Sequence, residues 1–326
     1  MRLPAELLDA IQQETDKVDR RKLVQATAQL TAHYKAADFS TAAVSTEAHR
    51  AAYLAVRMPA TYAALRRVFS EINARAPQAE IASLLDLGSG PATTLFAAAE
   101  EFHSLQHATL VEGDGAWIAL GNRLAAEPRW PGALKVQWLK QDLRSGLSCE
   151  THDLVVISYT LGELPQATAE AVLNKAWKCA GKFLVIIEPG TRRGFAAVNA
   201  ARSAMIANAA HSFIFAPCPH AAACPMATAG DWCHFSQRVE RTSQHRQLKG
   251  GDLGYEDEKF SYLVAAKNNP PAAGARIVRH PGKHGGHVQL ALCTPQGRIE
   301  NRTVTRSSKE AYKRARKAEW GDVWVE

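Results

Sequence analysis

Between Glu47 and Arg75, apolar side chains return every three or four residues: Leu54, Met58, Tyr62, Leu65 and Phe69. That spacing marks one buried face of a helix. Pro59 falls inside the run and lacks the N–H that a helix interior requires, so two helices are expected. Residues 1 to about 78 read as helical throughout, closed by the linker-like "ARAPQAE". From Ile81 the period changes. The blocks "IASLLDLG", "HATLVEGD", "KVQWLKQD", "DLVVISYT" and "KFLVIIEPG" alternate with amphipathic stretches such as "TAEAVLNKAWKCA". Short, continuous apolar blocks separated by helices predict βαβ units and a parallel sheet covered on both faces, an α/β fold. A further helix is expected over "RRGFAAVNAARSAMIANAA" and strands over "KFSYLVAAK", "ARIVRH" and "HVQLALCT". The turn "TPQGR" and a basic helix, "SSKEAYKRARKAEW", follow.

Composition adds bounds. The 326 residues suffice for about two domains, and ordinary apolar and charged content excludes global disorder. Glu6 and Asp9 stand where an export signal would carry its apolar core. No charged residue occurs from Ser203 to Gly230, but Pro217, Pro219 and Pro225 interrupt that weakly apolar run, so no membrane span is expected. A cytoplasmic location follows as the expectation, with thiols kept reduced and clustered cysteines binding metal. The net charge of +7 is uneven: residues 1–200 hold 21 Lys/Arg against 21 Asp/Glu, and residues 201–326 hold 18 against 11. A basic second half points to a partner rich in phosphate.

The first strand of the alternating region ends in "LLDLGSGPAT". Gly88 and Gly90 suit a tight strand-to-helix turn that lets a ligand approach backbone N–H groups. Thr93 replaces the third glycine of a dinucleotide fingerprint, and the Lys-Ser/Thr ending of a phosphate loop is missing. Glu112 closes the next strand, where a carboxylate can grip a ribose diol. With Asp86 just before the turn, this pattern resembles the class I S-adenosylmethionine (SAM)-dependent methyltransferases. The resemblance implies a Rossmann-like sheet. It places Asp86, Gly88, Ser89 and Gly90 at the methionine and ribose portions and Glu112 at the ribose hydroxyls. Asp142 and Leu143, in "KQDLRS", fall near the adenine. Pro91-Ala92 departs from the family pattern. After the fourth strand, "SYTLGELPQ" lacks both the Asn/Asp-Pro-Pro-aromatic signature of amino-group methyltransferases and the cysteine of a 5-methylcytosine enzyme. Glu163 suits either a base or a helix cap, and no catalytic residue is named.

"CPHAAACPMATAGDWC" places Cys218, Cys224 and Cys233 within sixteen residues. Their separations are wider than a zinc knuckle, and iron–sulfur sites tolerate irregular spacing. The fourth ligand is expected to be Cys293 rather than Cys149 or Cys179, while His220 and His234 are alternatives that would favour zinc.

The motifs "CP…CP…WCHFSQR" and "YEDEKFSYL", with "YLAVRMPATYAAL" and "YKRARKAEWGD", resemble the ribosomal small-subunit methyltransferase-like family (the Rsm22 family) of bacteria and mitochondria, over nearly the whole chain. The resemblance implies SAM as cofactor, association with the small ribosomal subunit and its 16S-type rRNA, and a [4Fe–4S] cluster on Cys218, Cys224, Cys233 and Cys293. Three regions are expected: 1–78 helical, 79–210 a SAM-binding methyltransferase core, and 211–326 a basic cysteine-cluster and β module. Arg238, Arg241, Arg246 and Lys249 are expected on one helix face. Arg276, Arg279, His280, Lys283, His284 and His287 form a second basic group. Lys309, Lys313, Arg314, Arg316 and Lys317 form a third, on the last helix. All suit phosphate contacts; Trp232, Phe235 and Tyr255 suit either base stacking or packing. The chain is expected to be a monomer that binds neither DNA nor membrane. Three readings stand: an RNA methyltransferase, a noncatalytic assembly factor that keeps its SAM pocket, and a small-molecule methyltransferase with structural zinc.

Overall fold

Four helices open the chain: α1 (Ala5–Asp16), α2 (Arg20–Lys35), α3 (Glu47–Val56) and α4 (Met58–Arg75). The last two part at Arg57, and Pro59 sits in the first turn of α4, where its missing N–H would have had no partner. Thr46 caps α3, its hydroxyl accepting the His49 N–H at 3.2 Å. Leu54, Met58, Tyr62, Leu65 and Phe69 are all buried, so the predicted stripe is the face that packs.

This computed structural model describes residues 1–35, 46–126, 134–207 and 212–325. Contacts divide the chain into two compact units. Unit 1 is Met1–Gly181 with Gln237–Glu258, and unit 2 is Lys182–Ser236 with Lys259–Glu326.

In unit 1 the four helices are followed by β1 (Ser83–Leu87), α5 (Thr93–Glu101), β2 (His107–Glu112), α6 (Gly115–Ala125), β3 (Lys135–Lys140), β4 (His152–Ser158) and α7 (Gln166–Cys179). The strands run parallel in the order β3-β2-β1-β4. Leu84, Leu85, Leu110, Val155 and Val156 are wholly buried, as strands covered on both faces require. Leu87 stands level with Val111 on one side and Ile157 on the other. The carboxyl ends of β1, β2 and β4 therefore share one edge, the edge at which open α/β sheets bind ligands. This is a Rossmann-like arrangement.

The chain continues through β5 (Ala180–Pro189), α8 (Arg192–Ala207), β6 (Phe213–Ala216), α9 (Pro225–Thr228), β7 (Phe235–Glu240), α10 (Ser243–Lys249), β8 (Tyr255–Ala266), β9 (Ala275–Ile277), β10 (Gly282–Lys283), β11 (His287–Cys293), β12 (Ile299–Thr305), α11 (Lys309–Lys317) and β13 (Val323–Trp324). The helix expected up to residue 210 is described as far as Ala207; residues 208–210 lie outside the described residues. In unit 2, β8 pairs antiparallel with β5 and with β6. A second sheet has the order β10-β11-β9-β13, and β12 pairs with β11. Ala311, Tyr312 and Ala315 of α11 pack against Ile277, Val288, Leu290, Leu292 and Val304 of that sheet, leaving the charged side of the helix exposed.

The sequence reading misses β12. "IENRTVT" is mostly polar, yet it pairs with β11 along its whole length, from Cys293↔Ile299 to His287↔Thr305. The segment expected as one basic helix face is instead strand β7, a turn and the short α10. Arg238 lies on the strand, and Arg246 and Lys249 alone lie on the helix. No helix among the described residues is long and apolar enough to cross a membrane.

Candidate functional site

A cavity of about 660 Å³ opens at the carboxyl edge of the parallel strands in unit 1. Gly88, Gly90, Glu112, Asp142 and Leu143 line it, with Tyr53, Trp117, Tyr159 and Thr160. The turn below it is held by Val111, whose carbonyl accepts the N–H groups of Gly88 at 2.9 Å and Ser89 at 3.1 Å. Ser89 is buried and adds its hydroxyl to the same carbonyl. A Cβ on Gly88 would stand 2.5 Å from Thr160 Oγ1, on a backbone with φ of +78°. Gly90 has φ of +50° and nothing within 4 Å of an added Cβ, so its surroundings are open. The family departure at Pro91-Ala92 leaves the turn intact: Ala92 takes φ of +69° as it enters α5.

Glu112 is fixed by the backbone. Its Oε2 accepts from Gly90 N and its Oε1 from Asp114 N, both at 2.9 Å, which leaves further lone pairs for a ligand diol. Leu143 supplies a buried apolar wall. Asp142 is committed elsewhere, since Arg144 pairs with its carboxylate at 2.7 Å. That hydrogen bond holds Asp142 below the usual carboxylate range, so contact with an adenine amino group requires sharing with Arg144.

Asp86 lies beneath the turn and is fully buried, with neither carboxylate oxygen hydrogen-bonded in good geometry. Burial pushes its pKa up to about 7; Thr94 partly opposes this and Glu112 adds to it. A carboxylate so placed calls for a cation, and none pairs with it among the described residues.

Tyr159, inside the singled-out "SYTLGELPQ", has φ of +55°, uncommon for a bulky residue. Its hydroxyl donates to Glu258 Oε1 at 2.9 Å, and Arg57 holds Glu258 bidentately at 3.1 and 3.2 Å. Burial, then the Glu258 charge, raise the Tyr159 pKa well above its ordinary value. The sequence reading did not find this triad. Arg57 and Glu258 lie within quoted family motifs, but their separation along the chain gave no signal that they meet.

In unit 2, Cys218 follows β6, Cys224 opens α9, Cys233 precedes β7 and Cys293 ends β11. These are the free cysteines, while Cys149 and Cys179 of unit 1 form a disulfide. That bond corrects the expectation that every thiol stays reduced: the loop before β4 and the last residue of α7 bring the two sulfurs together. The four free thiols share one electrostatic neighbourhood. Burial, then Cys218, Cys224 and Cys293, raise Cys233 well above the ordinary thiol value. Burial, then Cys218 and Cys224, push Cys293 up to about 12. Cys218 is raised by burial, against which Arg202 and Arg276 act.

No set of three or more His, Cys, Asp or Glu side chains among the described residues converges closely enough to hold a single metal ion. His220 Nε2 lies 3.4 Å from Cys293 Sγ. His234 instead stacks on Trp232 and meets Trp320 edge-on.

The cations expected to meet phosphate separate into two groups. Arg276 is buried and bonds the carbonyls of Pro217 and Gly321. Arg279 pairs with Asp231, Arg238 with Asp257, and Arg241 and Lys249 with Glu256. Arg276 is thereby removed from the surface, Arg241 and Lys249 are part-buried in their pairs, and Arg238 stays exposed beside Asp257. Arg246, Lys283 and the five cations of α11 remain exposed. Of the aromatic candidates, Phe235 packs against Phe260 and Tyr262, Trp232 lies under Arg192, and Tyr255 lies under Arg238.

Residues 47–325 match the family described as mitochondrial small ribosomal subunit Rsm22. The human "Ribosome assembly protein METTL17, mitochondrial" is 30% identical over 329 residues, an alignment covering 95% of this chain and 68% of the human one. "Rsm22-cox11 tandem protein 1, mitochondrial" of Schizosaccharomyces pombe is 25% identical over 334 residues, covering 84% of this chain and 42% of its own length. The chain thus spans under half of the fission-yeast protein. Among solved structures, magnesium protoporphyrin IX methyltransferase from Synechocystis PCC 6803 with bound SAM superposes with a TM-score of 0.42 at 12% identity. That match covers 64% of this chain and 80% of the other. The names of the relatives overturn the cytoplasmic location expected from the sequence, for each is mitochondrial. The expectation tested only for an apolar export signal, and an amphipathic, Arg-rich transit peptide has no such core.

Proposed function

The chain belongs to the Rsm22 family, and on that premise we propose that it is an assembly protein of the small ribosomal subunit, with a SAM site in unit 1 and a [4Fe–4S] cluster in unit 2. The observation that carries the reading is the extent of the family match: residues 47–325 take in the cavity, all four free cysteines and α11 together. The human relative aligned over 95% of this chain is itself named a ribosome assembly protein.

The residues of unit 1 fit SAM. Glu112, held by two backbone amides, would take the ribose diol, and Leu143 would wall the adenine beside Asp142. Asp86, a buried carboxylate without a hydrogen-bond partner, suits a ligand that brings a cationic amino acid end. When bound, SAM supplies an electrophilic methyl group. What the chain offers an acceptor at the end of β4 is Tyr159, a phenol that stays protonated and donates to Glu258. A donor locked in this way is not a general base, which leaves Glu163, a carboxylate lining the same cavity, as the base that methyl transfer would need.

The residues of unit 2 fit an iron–sulfur cluster. Four free thiols act on one another's charge without meeting at a point, and each ligand of a [4Fe–4S] cluster binds its own iron. Arg202 and Arg276 act on Cys218 and Cys293, and Arg279 acts on Cys233, each opposing the effect of burial. The exposed cations of α11 would then meet rRNA phosphates, which give affinity without sequence discrimination.

The test uses protein purified without oxygen. Iron, sulfide and zinc are measured per chain, SAM binding is titrated, and isolated small subunits are incubated with labelled SAM. Bound iron and sulfide, bound SAM, and association with the subunit are expected. Label transfer that disappears in Asp86→Ala would establish the enzyme reading, and zinc without RNA binding the small-molecule one.

A further inference from the structure

Arg202, on α8, is 4% exposed. Its Nη2 donates to the carbonyls of His220 and Ala222, both at 2.8 Å, and stands 3.4 Å from His220 Nδ1. Both carbonyls belong to the loop between Cys218 and Cys224. The Nε of Arg202 is buried and makes no hydrogen bond, and no carboxylate pairs with the side chain among the described residues. A guanidinium stays charged in proteins, and one removed from water without a counter-anion is costly unless an anion comes to it. Both Cys218 and Cys293 feel its charge. Arg276, also buried, acts on the same two thiols and bonds the carbonyl of Pro217, next to Cys218.

We propose that Arg202 is the positioning residue of the four-cysteine site. It clamps the Cys218–Cys224 loop through two carbonyls and supplies the buried positive charge against which a thiolate-bound cluster of net negative charge sits. The inference rests on the cluster reading above and adds to it a specific role for a residue that binds no iron. Reducing a cluster adds negative charge, so a buried cation beside it favours the reduced form.

Wild-type, Arg202→Gln and Arg202→Lys proteins are prepared without oxygen. Iron and sulfide per chain, the rate of iron loss to a chelator, and the reduced fraction of cluster at a fixed applied potential are compared. The Gln variant should lose iron about tenfold faster. Its ratio of reduced to oxidised cluster should fall about tenfold, equivalent to about 59 mV for a one-electron couple. The Lys variant keeps the charge but not the planar fork, so its ratio should stay near wild type while iron still leaves faster. SAM binding, read in unit 1, should be the same in all three, and the thermal unfolding of the iron-free proteins reports that unit 2 of the variants folds. A Gln variant with wild-type iron retention and wild-type ratio overturns the role of Arg202. Wild-type protein empty of iron and sulfide overturns the cluster reading itself, and this inference with it.

Discussion

Asp86 in unit 1 and Arg202 in unit 2 are both buried, and neither has a partner of opposite charge among the described residues, but they are opposite in sign and differently built. Asp86 sits at the end of β1, fixed by strand register, with the glycine turn and Glu112 following at short sequence distances. Arg202 sits on α8, and the thiols it faces come from a loop and from the end of β11. A carboxylate without a cation prepares a site for a positively charged ligand, and a guanidinium without an anion prepares one for a negative ligand. SAM and a thiolate-bound iron–sulfur cluster carry those opposite charges. The comparison teaches that an unmatched buried charge identifies the sign of what belongs there, even where chemistry and partner remain proposals.

The largest expected effect separates the two sites outright. Cys233→Ser removes a proposed ligand, a thiol that Cys218, Cys224 and Cys293 all act on, and bound iron should fall from a full cluster to the level of empty protein. Since metal binding contributes directly to the folding free energy of such a module, the unfolding transition of unit 2 should also move to lower temperature. SAM titration should be unchanged. If both iron and SAM binding vanish together, the two sites do not act independently and the contrast between them fails.

Asp86→Ala should do the reverse. Removing one charge of a buried ligand pair costs about 2–5 kcal/mol, so SAM affinity should drop by roughly thirtyfold to a few thousandfold while iron content stays. The pH dependence sharpens this prediction. Asp86 holds its proton up to about 7 in the folded protein, against an ordinary 3.8. Its contribution to apo-protein stability is therefore complete below about 3.8. It is lost as pH rises towards 7, because the unfolded chain gives up the proton first. Denaturant titrations of Asp86→Asn should lack that decline. SAM, which needs the ionised form, should bind progressively better up to about pH 7 and then level off. Affinity that is flat from pH 5 to 8 would show that Asp86 is not the counter-charge.

The sequence makes the two regions legible to different degrees. In unit 1 the strands are continuous apolar blocks and the turn is a local motif, so periodicity alone recovers β1 to β4, and the resemblance brings Gly88, Gly90, Glu112 and Leu143 to what proves one cavity. Asp142 shows the limit: its position was legible, but its pairing with Arg144 was not. In unit 2 the thiols stand out as a residue type, but β12 is hidden by its polar composition and the role of Arg202 by distance along the chain. Arg276 was misassigned for a related reason. Net charge counts a buried, carbonyl-bonded arginine and an exposed one alike, and only tertiary packing distinguishes them.

Gly88→Ala probes unit 1 by shape rather than charge. The added methyl would meet Thr160 at 2.5 Å on a backbone with φ of +78°, so strain of about 1–3 kcal/mol is expected. That should appear as earlier thermal unfolding of unit 1 with weaker SAM binding, and iron loading should not change. Gly90→Ala, at φ of +50° with no neighbour within 4 Å, should lose less stability than Gly88→Ala. If the two variants are equally destabilised, the contact with Thr160 is not what fixes Gly88.

The smallest effect tests whether the basic excess of unit 2 serves RNA at all. α11 buries Ala315 against its sheet and exposes Lys309, Lys313, Arg314, Arg316 and Lys317. Lys313 is partly occupied by Glu310 at 2.8 Å, whereas Lys309 and Lys317 are exposed on the helix. If those two meet phosphate, Lys309→Gln and Lys317→Gln should each lower the slope of log affinity against log salt. The reduction per residue should be about 0.9 on duplex RNA treated like B-DNA, or about 0.7 on single strands. Lys313→Gln should lower it less, because its charge is already shared. Affinity at any one salt concentration would change only modestly, so the slope is the quantity to measure on isolated small subunits. Equal, unaltered slopes in all three variants would assign the charge of α11 to solvation and move the RNA contact elsewhere on the molecule.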